Sequence, residues 1–161
     1  MTKWLTLLFF SIVTALIVTV SWANAQTSVR DGSTSGIINL DDYLSLFPET
    51  SDRIIVDTAV VNRENAGVRI LNLYGPVPQH VHAGGDTFLY VISGRGRFQI
   101  EDRTPIEASP GTMLYWAAGI PHGMPEMIEG PVTMLAFDAP FRDPDDIFYI
   151  NPEEAPEFLY R

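Results

Sequence analysis

Residues 79–94 read QHVHAGGDTFLYVISG and contain two of the three histidines of the chain, His80 and His82. The two are one residue apart, so on a β-strand their imidazoles point to the same face and can bind one ion together. Neutral imidazole is a good ligand for divalent transition metals. The third histidine, His122, also lies beside turn-like sequence next to a predicted strand. The stretch therefore predicts a strand that carries part of a metal site.

Short runs rich in β-branched and aromatic residues surround this stretch. Glycine, proline or acidic turn residues bound each run, at spacings typical of an antiparallel sandwich or barrel. The predicted strands cover residues 53–61, 68–74, 87–92, 96–100, 112–116 and 132–137. The sequence thus predicts an all-β fold, with tight turns at residues 93–96, 101–103 and 109–111.

The first 25 residues have the pattern of a cleavable signal peptide. Lys3 precedes an apolar run from Trp4 to Val20, and the small residues Ala23 and Ala25 fit an A-x-A cleavage site. An uncleaved membrane anchor is the alternative, because a run of about 17 apolar residues is near the lower limit for crossing a bilayer. With either outcome we expect export, to the periplasm or out of the cell.

The rest of the chain divides into three parts. Residues 26–36 are polar and turn-rich, which predicts a flexible lead-in. Residues 37–139 form the predicted domain, and it opens with one short helix over residues 39–48, indicated by an asparagine N-cap, early acids and a proline stop. Residues 140–161 combine acids, prolines and aromatics. This composition predicts an extended tail whose aromatics dock on the domain or on a second copy, as in a homodimer.

Charge and composition exclude several functions. Lys3 is the only lysine, so the 136 residues after the signal have nine arginines against 20 acidic residues, a formal charge of −11. We expect neither nucleic acid nor, after signal removal, a membrane as a partner, because both require a basic surface. The chain has no cysteine, which excludes disulfides, thiolate nucleophiles and thiolate metal ligands.

Two stretches resemble the two sequence motifs of the cupin family. The first motif is a glycine, an H-x-H pair, a glutamate and a glycine, and its counterparts here are Gly75, His80, His82, Thr87 and Gly94. Threonine replaces the glutamate, and the first gap is one residue shorter. The second motif is matched by Gly111, Gly119, Pro121 and His122, with Ala117 and Glu126 in place of the usual proline and asparagine.

The resemblance covers residues 68–137 and implies a double-stranded β-helix, or jelly-roll barrel. It also implies that His80, His82 and His122 hold one divalent transition metal, Fe, Mn, Zn, Ni or Cu, in the mouth of the barrel. Cupins with this pattern include dioxygenases, isomerases and lyases that act on small, often anionic or phenolic, molecules. Two functions remain open: an extracytoplasmic metal-dependent enzyme, or a non-catalytic periplasmic module that binds a small molecule or metal.

The missing glutamate leaves open what completes the site. Thr87 shares the phase of Leu89 and Val91, on the inward face, and is predicted as a hydrogen-bonding group behind the ligands. Asp86 has the opposite phase, but the flexible Gly84-Gly85 pair beside it could turn its carboxylate inward. Asp86 is therefore predicted as a proton acceptor at the rim, with a role as fourth metal ligand as the alternative.

The large apolar residues and two arginines near the motifs are predicted to have structural roles. Five large side chains on predicted strands are expected to fill the barrel mouth or core: Phe98, Met113, Tyr115, Met134 and Phe137. Met124 and Met127 follow His122 and are predicted to pack in a loop there, with copper ligation as the alternative. Arg95 and Arg97 are predicted to be solvated.

Overall fold

The computed structural model describes residues 36–143 and 145–156. In chain order the elements are α1 Leu40–Leu44, β1 Ile55–Arg63, β2 Ala66–Leu73, β3 Val77–Val81, β4 Asp86–Ile100, β5 Ile106–Ala108, β6 Met113–Trp116, β7 His122–Ala139, β8 Phe148–Tyr149 and a 3-10 turn at Pro152–Glu154. The signal peptide predicted for residues 1–25 lies outside the described residues, as does the lead-in up to residue 35. Within the described part of the chain, no helix is long and apolar enough to cross a membrane.

The eight strands form one antiparallel sheet that is organised by the two longest strands. β4 has 15 residues and β7 has 18, and the two pair with each other along most of their length. β7 also pairs with β2 through residues 132–138 and with β3 through its first residues, while β4 also pairs with β5 and β6. Because repeated bulges bend both long strands, the sheet folds over itself, which confirms the predicted jelly roll.

The predicted turn at residues 93–96 is wrong, because these residues lie inside the continuous strand β4. The register between β4 and β7 shifts on both sides of Ser93 and again at Arg95. Glycine-rich sequence is compatible with a bulge as well as with a turn, and here it bends the strand without ending it. The turns at residues 101–103 and 109–111 are confirmed, since the Thr112 amide donates to the Ser109 carbonyl at 2.9 Å and the Arg103 amide to the Ile100 carbonyl at 3.3 Å.

Gly94 is the position in β4 where a side chain is least tolerable. Its φ of 77° suits glycine, and a Cβ there would overlap the Pro131 carbonyl oxygen and lie 2.8 Å from the Glu129 carbonyl oxygen. We expect Gly94→Ala to destabilise the protein by about 3 kcal/mol, from the left-handed backbone and the backbone overlap together. Urea unfolding measures this.

Gly111 provides the matched control for this prediction. Its φ of 93° is also positive, but a Cβ there meets nothing within 4 Å. We expect Gly111→Ala to cost only about 1 kcal/mol, since it adds backbone strain alone. Equal losses in the two variants would contradict the packing role assigned to Gly94.

The inside of the barrel holds the apolar core. Alternate residues of β4 and β7 point inward, and Val91, Val132, Met134 and Ala136 are almost fully buried. Of the five residues predicted to fill the mouth or core, Phe98 and Met134 do so. The prediction is wrong for Met113, Tyr115 and Phe137, which are 66%, 49% and 42% exposed on the outer face. Their strands have an outer face that is itself apolar, so hydrophobicity alone did not indicate direction.

The first described segment forms a helix, and part of the last described segment joins the sheet. The short predicted helix is confirmed as α1, capped by the Asn39 side chain, which accepts from the Asp41 amide at 3.2 Å. Part of the predicted tail joins the sheet as β8, with Tyr149 opposite His80 and Phe148 opposite Val81 on β3. The segment that follows β7 therefore lies beside the histidines.

Candidate metal centre

The three histidines meet inside the barrel although they come from two motifs. His80 lies in β3 directly opposite His122, the first residue of β7, and His82 follows the end of β3. The Gly119 amide donates to the His82 carbonyl at 2.7 Å, which holds the second motif against the first. All three histidines are buried, and their ligand atoms lie within 4.8 Å of one another. This set could hold a metal ion.

Each imidazole is oriented by a backbone carbonyl at its Nδ1 atom. The Pro78 carbonyl lies 2.8 Å from Nδ1 of His80. The Asp146 carbonyl lies 2.5 Å from Nδ1 of His82, and the Ile120 carbonyl lies 2.9 Å from Nδ1 of His122. Because a carbonyl only accepts, each Nδ1 carries the proton and each Nε2 keeps its lone pair. The Nε2 atom of His122 is buried and has no hydrogen-bond partner among the described residues. This is the arrangement that metal-binding imidazoles require.

Burial keeps the three imidazoles neutral. It lowers the pKa of His82 and of His122 to about 2, and it also lowers the pKa of His80. The positive charge of Arg142 adds to the lowering at all three rings. Neutral imidazole is the form that binds metal, so no proton has to leave before an ion can bind near neutral pH.

These pKa shifts predict that acid destabilises the metal-free protein. The histidine pKa values are below 6.5 in the folded state, so the unfolded chain binds more protons, and stability falls as pH drops below about 6.5. At pH 5 each fully shifted histidine should cost about 2 kcal/mol. Urea unfolding of the chelated protein between pH 7.5 and pH 5 measures the slope, and His122→Gln should reduce it. Equal stability at both ends would contradict the burial of neutral rings.

Aromatic rings support two of the histidines. The Trp116 indole stacks on His122, with centroids 3.9 Å apart and an interplanar angle of 20°, and the Tyr149 ring lies 5.7 Å from that of His80. Both contacts restrict ring rotation. Met124 is 1% exposed and packs beside Gly96, so it packs as predicted, but in strand β7 and not in a loop. It lies on the wall of the cavity described next.

A cavity of about 60 Å³ lies against the histidines. Its walls are mainly apolar, including Leu71, Leu89, Phe98, Trp116 and Met134, and its polar members besides the histidines are Arg69, Thr87 and Arg142. Such a cavity, apolar with a few convergent polar groups, is typical of a small-molecule site.

A buried cluster of charges supports this wall of the cavity. Asp138 is 1% exposed; it accepts from Arg69 Nε and from Thr87 Oγ1, both at 2.9 Å, and lies 3.8 Å from Arg142 Nε. Arg69 also pairs with Asp57 at 2.8 Å. The sequence interpretation missed this cluster. A signal was present, because Asp138 shares the inward phase of Val132, Met134 and Ala136.

The two residues at the missing-glutamate position point in opposite directions. Thr87 is 2% exposed, lines the cavity and bonds to Asp138. The Asp86 carboxylate accepts from the Tyr115 hydroxyl at 3.2 Å and from the Ala118 amide at 3.0 Å. Asp86 does not belong to the histidine group. The catalytic role of Asp86 and the supporting role of Thr87 stay predictions.

Three other residues considered in the sequence analysis, Arg95, Arg97 and Met127, lie away from the cavity. Arg95 and Arg97 are 44% and 47% exposed at their side chains and pair with glutamates on the outer surface. Met127 is partly buried and packs against the core. None of these three residues lines the cavity.

Fold and site together define the class: a small jelly-roll protein with a three-histidine centre inside its barrel. The family model for the cupin domain matches residues 62–138, and the chain belongs to the cupin family. No curated protein matches the sequence.

Solved structures with the same fold are distant in sequence. KdgF from Halomonas sp. is 20% identical, with a TM-score of 0.55 over 69% of this chain and 97% of that one. An RmlC-like cupin protein from Desulfovibrio desulfuricans is 24% identical, with a TM-score of 0.54 over 66% and 98%. A cupin-2 domain protein from Shewanella frigidimarina is 19% identical, with a TM-score of 0.52 over 64% and 94%. At these identities the similarity shows the fold alone.

Proposed function

We propose that this cupin is a metal-dependent enzyme, of the dioxygenase, isomerase or lyase type, that acts on a small anionic or phenolic molecule. The observation that supports it best is the set of three Nδ1–H bonds to backbone carbonyls, which directs three Nε2 lone pairs to one place. His80, His82 and His122 would hold one divalent ion, Fe, Mn, Zn, Ni or Cu. An all-nitrogen donor set suits Fe, Zn, Ni and Cu better than Mn.

The residues around the histidines would supply the charge and the apolar surroundings of the site. A bound ion would supply Lewis acidity or, if redox-active, electrons. The three ligands are neutral, so the protein adds no anionic ligand and the ion keeps its charge for an anionic substrate. Arg69 and Arg142 add positive charge to the same cavity. The apolar walls exclude water, which strengthens each of these interactions.

A non-catalytic module that binds a metal or small molecule in the periplasm is the second candidate. The cavity of about 60 Å³ beside the histidines has room for a bound ion with its water, which is all that a metal-binding module requires. Turnover distinguishes the two functions: an enzyme consumes its substrate only when the metal is present, whereas a module saturates with ligand and releases it unchanged.

The decisive experiment begins with the metal content of protein prepared from its native compartment. We expect about one equivalent of one divalent transition metal per chain. O₂ uptake and the loss of phenolic, diketone and carboxylic acid candidates then follow, with and without chelation. Metal-dependent turnover supports the enzyme, and saturable binding without product supports the module. A native protein without transition metal would contradict the enzyme and the metal-binding module.

We also propose export, supported by the pattern of residues 1–25 in the sequence. Cleavage after Ala25 should remove Trp4 and leave Gln26 as the first residue. Intact mass spectrometry of native protein measures this directly. A mass that still includes Trp4 would contradict cleavage.

The proposed partner is a small molecule, and neither nucleic acid nor membrane is expected at a formal charge of −10 for the whole chain. A homodimer would cover part of the exposed apolar outer face, which includes Met113, Tyr115 and Phe137. Sedimentation velocity of the purified protein tests the dimer.

A further inference from the structure

Asp146 contacts three consecutive residues that begin at the candidate ligand His82. Its carboxylate accepts from the Ala83 amide through Oδ1 at 2.9 Å and from the Gly84 amide through Oδ2 at 2.7 Å. Its backbone carbonyl accepts from Nδ1 of His82 at 2.5 Å. Asp146 lies between β7 and β8, 64 positions after His82. One distant residue therefore holds both the ring of His82 and the backbone that follows it.

The other two candidate ligands are oriented by their own segments of chain. Nδ1 of His80 donates to the Pro78 carbonyl and Nδ1 of His122 donates to the Ile120 carbonyl, and each acceptor is two positions earlier. A contact of this kind forms wherever the local backbone has the required conformation. For His82, in contrast, the hydrogen bond at Nδ1 depends on a tertiary contact, and that contact is made by Asp146.

The surroundings of Asp146 favour this arrangement. Gly84 leaves space for the carboxylate, since a Cβ at this position would lie 2.9 Å from Oδ2 of Asp146. Nη1 of Arg142, a residue that is 3% exposed, donates to the Asp146 carbonyl at 3.2 Å. Hydrogen bonds from amides to a carboxylate are charge-assisted and roughly twice as strong as neutral ones. The carbonyl that orients His82 is thus held by the side chain of its own residue as well as by a buried neighbour.

We infer that Asp146 is a positioning residue for His82, and that its carboxylate, not its carbonyl alone, holds this ring in the orientation that a metal ligand requires. The carboxylate fixes Ala83 and Gly84, and this keeps the carbonyl of the same residue in line with the imidazole. The coupling is reciprocal, because an ion that requires this orientation stabilises the Asp146 contacts by the same factor. The role of the ion rests on the proposed function, whereas the orientation of the ring does not.

The first test compares affinities for Zn²⁺, measured by competition with a fluorescent chelator. Asp146→Ala should lower the affinity roughly tenfold or more, since loss of a group that orients a metal ligand costs about 10- to 100-fold. Asp146→Asn keeps one acceptor oxygen and should lose less. Asp145→Ala is the matched control, because it removes the same charge from an exposed neighbour, and it should bind Zn²⁺ like the wild type. Equal affinities in folded Asp146→Ala and Asp145→Ala proteins would overturn the inference.

The second test distinguishes positioning from a general loss of stability by nitrogen NMR of the imidazoles in metal-free protein. In the wild type all three rings should carry the proton on Nδ1. In Asp146→Ala the His82 ring should become a mixture of its two tautomers, while His80 and His122 should keep theirs because their acceptors are local. An unchanged His82 signal, or the same change in all three rings, would contradict the positioning role.

The third test uses wild-type protein and therefore decides even if Asp146→Ala does not fold. Amide hydrogen exchange at Ala83 and Gly84 should slow roughly tenfold or more when Zn²⁺ is bound, because of the reciprocal coupling. Exchange at the Asp41 amide, which donates to the Asn39 side chain at the start of α1, should stay the same and serves as the control. No slowing at Ala83 and Gly84 in protein saturated with Zn²⁺ would overturn the inference and leave the metal site intact.

Metal measurements separate this inference from the proposed function. If wild-type protein binds no divalent transition metal but the His82 tautomer depends on Asp146, the proposed function fails and the positioning role stands. If Asp146→Ala binds Zn²⁺ as tightly as the wild type with an unchanged His82 signal, the positioning role fails and the metal site stands.

Discussion

Replacing any one of His80, His82 and His122 with alanine should lower the affinity for a divalent transition metal roughly hundredfold or more. Each ring supplies one Nε2 lone pair, and each is aimed by its own bond to a carbonyl. Among the described residues, no carboxylate belongs to the group that could compensate for a lost ring. Competition with a fluorescent chelator measures the affinity. Full metal content in all three alanine variants would eliminate the metal site.

Two variants beside the histidines serve as controls for this prediction. Asp86→Asn should bind metal like the wild type, because the Asp86 carboxylate is engaged with Tyr115 and the Ala118 amide. Thr87→Ala should change metal affinity only slightly, since Thr87 bonds to Asp138. A large loss in Asp86→Asn with little change in Thr87→Ala would instead make Asp86 the fourth ligand.

Asp138→Ala should destabilise the protein by about 3 to 5 kcal/mol. The Asp138 side chain is fully buried, accepts hydrogen bonds from Arg69 and Thr87, and forms an ion pair with Arg142. Without it, the two buried guanidiniums lose the carboxylate that they share, and the Thr87 hydroxyl loses its acceptor. Removal of one member of a buried charge cluster leaves uncompensated charge, which costs far more than a surface substitution. Urea unfolding of chelated protein measures this.

Two further substitutions make the Asp138 prediction specific. Asp138→Asn keeps the shape and one acceptor oxygen but removes the charge, so it should lose part of the stability and not all of it. Asp102→Ala removes an exposed carboxylate from the turn at residues 101–103 and should change stability by less than about 0.5 kcal/mol. A loss in Asp138→Ala no larger than in Asp102→Ala would show that the buried cluster does not hold the fold together.

Local pattern was enough to predict the fold class, and the resemblance to the cupin motifs was enough to predict that the three histidines form one candidate metal site. Strands alternate inward and outward with a period of two, so the H-x-H spacing already placed His80 and His82 on one face. The same rule placed Thr87 inward and Asp86 outward. It failed where both faces of a strand are apolar, at Met113, Tyr115 and Phe137, and where a glycine-rich bulge at Ser93 to Gly96 was interpreted as a turn.

The sequence by itself therefore determined the features that depend on local spacing and on the order of the motifs. These are the strands, the short helix and the grouping of the three histidines. Tertiary structure alone decided which distant groups meet them. Asp146, far along the chain from His82, presents the carbonyl that orients this ring. Arg142, in the same segment between β7 and β8, lines the same cavity. Strand pairing across the barrel places Asp138 where it accepts hydrogen bonds from Arg69 and Thr87. The physical reason is that a buried charge or lone pair is satisfied by whichever group is nearest in space, and nearness across a folded sheet is set by pairing and bulges and not by separation along the chain.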